Sequence, residues 1–336
     1  MRKWILVANS VIILCGLIIG SIYLYYQHIE TTNVNNVYII LKKNSTLEQV
    51  AKQLQEKNII ESQSTFIYYA NVNGLKERIE DGNFIIKPKT NLNGLITKFK
   101  DGKSEFTVIT IPEGYTLYQI ASKLDEKHLV NKEEILNDKL NDLKNNTLIL
   151  SKDNVYYDLE GYLFPDTYYI PNNTTKDEII SIMVGRFKTV FSDKYISRAK
   201  ELGLDVNEVI TIASLIEREA ANNNERSRIA GVIYNRLKKG MPLQVDAAVI
   251  YANTKGRKHI TNVYYNTLKV QSKYNTYLHK GLPPGPIASP GKASIEATLY
   301  PEKNNYLYYV ASGNGHTFSK TYEEHLNNVK KYMNHK

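Results

Sequence analysis

The chain has 336 residues, 42% of them apolar, which is enough for about two domains with real cores. Its net charge of +9 favours anionic surroundings such as nucleic acid, phospholipid head groups or an acidic polymer. Lys and Arg are scattered, however, with no helix-turn-helix, RNP or zinc-finger signature, so nucleic acid is not an expected partner. The single cysteine, Cys15, excludes an intramolecular disulfide framework and any cysteine-based zinc site, and the seven histidines are dispersed with no HExxH; no metal or other cofactor is expected.

The first element is the most informative. Arg2 and Lys3 precede a stretch from Trp4 to Tyr26 that holds no charged residue. A helix needs about 20 apolar residues to cross a hydrocarbon core. Basic residues on the short leading side place that end in the cytoplasm and the bulk of the chain outside the cell membrane. Trp4, Tyr23, Tyr25 and Tyr26 would sit at the two interfaces. A cleaved signal peptide fits less well, because the apolar run is long and no A-x-A-like site closes it. A lipoprotein signal is also disfavoured, since Leu14 precedes Cys15 where a small residue is needed. The expected order is therefore a cytoplasmic tail (1–3), a single-pass membrane helix (4–26) and a polar linker (27–36).

An internal repeat follows. "TLEQVAKQLQEKNII" (46–60) aligns with "TLYQIASKLDEKHLV" (116–130) at an offset of 70, with seven of 15 positions identical. Each copy follows a β-like run, "VYIIL" or "FTVITI". Each also carries apolar residues at helical spacing, as in Leu47, Val50, Ala51 and Leu54. Thr46 and Thr116 are the expected N-caps. One strand and one short helix cannot close a core, so the two copies need each other, or "GNFIIKP" and "LITKFK", as packing partners. Residues 37–150 resemble the LysM-like α/β module, which implies glycan binding; a plain spacer or dimerisation unit fits the same pattern.

From 151 the character changes. "LEGYLFPDTYYIP" (159–171) is aromatic and broken by proline, so it reads as loop or short strand. "KDEIISIMVGRFKTVF" (176–191) reads as an amphipathic helix, and "DVNEVITIASLIEREAA" (205–221) as a second, N-capped by Asp205. "ERSRIAGVIYNRLKKG" (225–240) is a third, ended by Gly240. "GLPPGPIASPG" (281–291) is neither helix nor interior strand, because its prolines remove donors and fix φ; it reads as a stiff, ordered loop. A strand, a glycine turn and a terminal helix close the chain. "GPIASPGK" resembles a phosphate loop only faintly, since five residues separate its glycines where four are needed and Ala293 replaces the metal-binding Ser or Thr.

The chemistry concentrates on the 205–221 helix. At 100° per residue its apolar face centres near Val209 and Ile216, and Glu217 and Glu219 lie about 80° to either side. Both stand at the margin of the buried face, where partial desolvation favours the neutral carboxyl. That is the property of a general acid working near neutral pH. For an E-x-E on a helix taken by itself, a structural network with Arg218, Arg226 or Arg236 is the commoner arrangement, and the symmetrical offsets do not choose between the two glutamates.

The ordered motifs "LEGYLFPDTYYI", "ASLIEREA", "VIYNRLKKGMPLQVDAAVIYA", "YNTYLHKGLPPGPIASPGKASIEA" and "YLYYVASGNGHTFSKTYEEH" resemble the endolytic murein transglycosylase family (MltG/YceG-like), and the resemblance runs from the membrane segment to the end. It implies an α+β protein whose residues 151–336 form a catalytic domain. It further implies a membrane-anchored lyase that cuts nascent peptidoglycan strands between N-acetylmuramic acid and N-acetylglucosamine, leaving 1,6-anhydro ends. The second glutamate of the E-x-E, Glu219, is implied as catalytic, acting as acid and then as base, with Glu217 as the alternative. Gln244, Asp246, Tyr274, Asn275, Tyr277, His316, Tyr162 and Asp166 become candidate substrate contacts, with Phe164 and Tyr168 beside the last two and "GLPPGPI" as a rigid cleft wall. Expected partners are glycan strands, the lipid bilayer and peptidoglycan synthases. The rival readings are a hydrolytic muramidase and a non-catalytic scaffold of wall synthesis.

Overall fold

The computed structural model describes residues 2–76, 78–139, 153–258 and 267–333, apart from the side chains of 2–8, 18, 19, 22, 23, 26 and 27. Its chain contacts define two units, Met1–Val108 with Tyr169–Asn173, and Ile109–Tyr168 with Thr174–Lys336. The expected boundary at 150/151 lies outside the described residues.

Helix α1 (Arg2–His28) covers the segment read as a membrane crossing, and Val11, Ile12, Ile13, Leu14, Leu17 and Leu24 on it are exposed. Among the described residues no helix is long and apolar enough to cross a membrane. The side chains of Arg2, Lys3, Trp4, Tyr23 and Tyr26 are outside those described; Tyr25 is exposed. Residues 27–36, read as a linker, are tied into the first unit. Thr31 N–H donates to Thr90 O, Thr32 N–H to Ile59 O, and the Asn33 amide to Ile86 O. Main-chain groups and a polar side chain make these bonds, which no apolar pattern announces.

The first unit continues with β1 (Val37–Leu41), α2 (Leu47–Glu56), α3 (Gln63–Val72), β2 (Gly82–Ile86) and α4 (Leu92–Asp101). Strands β1 and β2 pair antiparallel, from Val37 opposite Ile86 to Leu41 opposite Gly82. Alternation puts Ile39, Leu41, Phe84 and Ile86 on the buried face, where Leu54, Phe66, Tyr69, Leu95 and Phe99 complete the core.

The repeat is a structural repeat as well. Its second copy is α5 (Leu117–Glu126), which lies in the second unit. Thr46 and Thr116 each form a capping box with the Gln three residues on. Leu47, Val50, Ala51 and Leu54 are buried in one copy, and Leu117, Ile120, Ala121 and Leu124 in the other. Two positions past the end of each helix stands a left-handed residue, Asn58 with φ 53° and His128 with φ 54°. Each copy has a different partner. The Leu117 N–H donates to the buried carboxyl of Glu160, and the Thr116 hydroxyl to Gly256 O, which fastens α5 to the second unit.

The chain also forms strands β3 (Phe106–Thr110) and β4 (Thr167–Pro171) and helices α6 (Lys132–Leu136) and α7 (Lys176–Val190), and the second unit is built around α9 (Val206–Glu219). Asp205 and Glu208 form its capping box, and every residue from Val209 to Ile216 is buried. Such a helix is enclosed on all sides rather than amphipathic. Packed on it are α8 (Asp193–Glu201), α10 (Arg226–Lys238), α11 (Asp246–Thr254) and α12 (Lys292–Leu299). The proline loop is part of this enclosure. Ile287 N–H donates to the Ser214 hydroxyl, Asn207 to Pro284 O, and an added Cβ at Gly161 would strike the Pro286 ring at 2.6 Å. The hairpin β5 (Tyr308–Ser312) and β6 (Gly315–Ser319) carries α13 (Tyr322–Met333) on one side.

Candidate active site

The two glutamates of the E-x-E leave α9 in different directions and meet different chemistry. Glu217 forms a 3.0 Å ion pair with Arg226 and accepts from Gly291 N–H at 3.0 Å and the Ser294 hydroxyl at 2.8 Å. It therefore satisfies donors at the start of α12 that would otherwise be open. Arg226 also donates to Ser294, so acid, base and hydroxyl form a closed network. A third carboxyl, Glu113, packs on Gly291, where an added Cβ would strike it. Burial pushes Glu113 above the usual carboxylate range, and the charge of Glu217 adds to this.

Glu219, in the last turn of α9, has no cationic side chain bonded to it among the described residues; its one side-chain hydrogen bond comes from the Tyr309 hydroxyl, 3.0 Å from Oε2. Burial pushes this carboxyl above its ordinary value of 4.5, while the Tyr309 hydrogen bond opposes the shift. The Asp246 charge pushes it further up, whereas the Ala247 N–H, and His316 whenever its ring is charged, pull it down. A helix C-terminus, with its partial negative charge, also disfavours a carboxylate. Tyr309 is itself driven well above the ordinary phenol value by burial and by Glu219, so it stays a donor.

The β5–β6 hairpin supplies the facing wall. His316 lies opposite Ala311 across the turn, its ring 5.2 Å from that of Tyr309 in an edge-on contact. Glu225 grips it twice, through the His316 main-chain N–H and through Nδ1, both at 3.0 Å. The Asn222 amide holds the turn by donating to Asn314 O.

The remaining wall comes from 244–246 and 274–277. Thr276 ties the two segments together: its hydroxyl accepts from Val245 N–H, and its carbonyl accepts from Gln244 N–H. Tyr277 donates to Asp246 Oδ1 at 2.6 Å. Gln244 and Asp246 are exposed, and Gln244 adopts a left-handed φ of 50°. Buried Arg236 braces this wall and the hairpin at once, donating to Leu243 O and Leu307 O.

Among the sequence-predicted residues, Glu219, Asp246, Tyr277 and His316 thus converge, with Gln244 at the edge. Others have different employment. Tyr274 is buried and stacks on Tyr156 at 4.9 Å. Asn275 is buried and bonds Leu268 O, Val270 O and Tyr277 N–H, which sets the loop that carries Tyr277. Tyr162 is buried with its hydroxyl on Asn207, and Phe164 and Tyr168 are buried too. Asp166 pairs with Arg186 at 2.6 Å. The "GLPPGPI" loop, read as a cleft wall, is buried from Gly285 to Gly291. Tyr309, Glu225 and Arg236 complete the cluster, and no motif marks them as contacts. Tyr309 lay unresolved among the tyrosines of "NYLYYV", whose spacing alone does not mark which one turns inward.

A mixed α+β protein with a half-buried, tyrosine-bonded carboxyl at the end of its central helix is the class these features define. Residues 39–331 match the model of the YceG-like family, and the chain belongs to that family. It is 36% identical, over 95% of its length and 92% of the relative's, to an endolytic murein transglycosylase of Bacillus subtilis. It is 32% identical to a protein of that name in Streptococcus pneumoniae, of which it spans 65%. The crystal structure of a YceG-like protein from Listeria monocytogenes superposes with a TM-score of 0.61 at 33% identity, covering 88% of this chain and 99% of that one.

Proposed function

We propose that this protein is a peptidoglycan lytic endotransglycosylase, with Glu219 as its acid and then its base. The observation that carries the reading is the contrast on α9. Glu217 is consumed by Arg226, Ser294 and Gly291, whereas Glu219 is held toward its neutral form with one phenolic donor. The protonated Glu219 gives its proton to the glycosidic oxygen as the bond to C1 of N-acetylmuramic acid breaks. The carboxylate left behind takes the proton of the muramyl 6-hydroxyl, whose oxygen closes on C1 and forms the 1,6-anhydro ring. The substrate supplies the nucleophile, so a second carboxylate set for water or covalent attack is not needed, in contrast to ordinary glycosidases. The Tyr309 hydroxyl, fixed on Oε2, steadies the carboxyl in both states.

Around that acid, Asp246, Tyr277, His316 and Gln244 contact sugar hydroxyls or acetamides. Tyr274, Asn275, Tyr162 and Asp166 act one step back, by holding the frame. The uncharged stretch from Trp4 to Tyr26 anchors the protein in the cell membrane, N-terminus inside, with both units facing the wall and its synthases. The β1–α2–α3–β2 arrangement supports a LysM-like role in positioning glycan. Digestion of purified glycan strands tests the reaction. Anhydromuramyl products, one water lighter than reducing ends, are expected; reducing ends alone mean hydrolysis, and no cutting means a scaffold.

A further inference from the structure

Glu225 is a buried carboxylate, 6% exposed, to which the motifs assign no task. Its described partners are all donors or a ring that becomes one. Ala221 N–H reaches Oε1 at 2.6 Å, His316 N–H reaches Oε2 at 3.0 Å, and His316 Nδ1 lies 3.0 Å from Oε1. A carboxylate only accepts, so the proton of this last bond resides on Nδ1. In the neutral ring Nε2 then carries a lone pair, and it makes no hydrogen bond to any described residue. The ring stands against Tyr309, whose hydroxyl is on Glu219.

We propose that Glu225 is a positioning residue for the reaction: it locks His316 in the Nδ1–H tautomer and thereby presents Nε2 as an acceptor for a sugar hydroxyl or acetamide N–H beside Glu219. This rests on the glycan-cutting reading of the same site, and it adds the direction in which His316 bonds. The lock is built at two points. The main-chain bond fixes where the hairpin tip lies and the Nδ1 bond fixes how the ring is turned. There is little room to shift, since an added Cβ at Gly315 would come 2.9 Å from Glu225 Oε2. The charged and titratable groups facing the pair are Glu219, Tyr309 and Arg228, with Asp246 acting on Glu219 from α11.

The test begins with the unmodified full-length protein in detergent. Long-range ¹⁵N–¹H spectra of its imidazoles are recorded at a pH that neutralises the rings, with His316 assigned by its absence in His316→Asn. The Nδ1–H pattern is expected; the commoner Nε2–H pattern for His316 overturns the proposal. Glu225→Gln, whose amide must turn a donor toward one of the three donors, is expected to lose the single tautomer. Its kcat/KM on glycan strands should fall by about tenfold or more, mostly through KM, with anhydro products unchanged. Glu225→Asp should recover part of the loss. His316→Asn keeps a donor for Glu225 but lacks Nε2, and should be impaired as much as Glu225→Gln. A Glu225→Gln variant with parental kcat/KM overturns the proposal. Should the parental protein release no anhydro ends while its His316 shows the Nδ1–H pattern, the lyase reading fails and the tautomer lock stands.

Discussion

The surroundings of Glu217 and Glu219 differ more than their two-residue separation suggests. On one side of α9, a carboxylate closes a network with an arginine, a serine and the start of α12. On the other, a carboxyl meets a phenol, a second acid across the gap and a histidine clamped from behind. A buried carboxylate with a cation and two further donors is a structural part. One that is desolvated without a bonded cation is poised to exchange a proton. The partners brought by other elements assign the roles.

The largest expected effect follows directly. Glu219→Gln keeps the shape and the Tyr309 contact but removes the transferable proton, and should lower glycan cutting by about a thousandfold or more with an unchanged unfolding midpoint. Glu217→Gln should do the reverse in kind. Losing one partner of an ion pair whose side chains are 11% and 6% exposed should cost about 3–5 kcal/mol in urea unfolding. Activity per folded molecule should fall far less than in Glu219→Gln. If Glu217→Gln is as stable as the parent, the structural half of the contrast is wrong.

Smaller changes sharpen the acid side. Tyr309→Phe deletes the bond that favours the carboxylate, so Glu219 should ionise at higher pH. The alkaline limb of kcat/KM, where a general acid is lost, should move up, with about a tenfold lower maximum. Asp246→Asn removes a charge that raises Glu219, and the same limb should move down. Opposite movements in the two variants are the diagnostic; parallel movement contradicts the arrangement. The last expectation concerns stability alone and leaves the chemistry untouched. Burial pushes Glu160, which accepts from Leu117 and Tyr251, up to about 8. Because the native carboxyl keeps its proton where the unfolded one has lost it, stability should fall as pH rises from about 4.5 to about 8. The slope from this one group is about 1.4 kcal/mol per pH unit. Urea midpoints across that range should flatten in Glu160→Gln.

What the sequence disclosed was mostly local. The capping residues Thr46, Thr116 and Asp205, the glycine end after α10 and the buried positions of both repeat copies depend on neighbours within a turn or two, and they appear where the spacing puts them. What it withheld depends on contacts made far along the chain. The all-round burial of α9 needs the proline loop some seventy residues on, which the pattern marked as stiff but not as core. Tyr274 and Asn275 looked like a sugar platform because an aromatic ring and an amide suit one; they also suit a stacked core and a loop brace, which is their use here. Glu225 looked like the first residue of a helix, a common place for an acid, and only the fold brings His316 to it.

The central claim is that the Glu219 carboxyl stays neutral to a higher pH than an ordinary glutamate, so that it has a proton to give. A carbon-13 titration of the glutamate carboxyls, with the Glu219 signal identified by its disappearance in Glu219→Gln, measures this without substrate. A Glu219 midpoint clearly above 4.5, rising further in Tyr309→Phe, is expected. A midpoint at or below the ordinary value would contradict that claim.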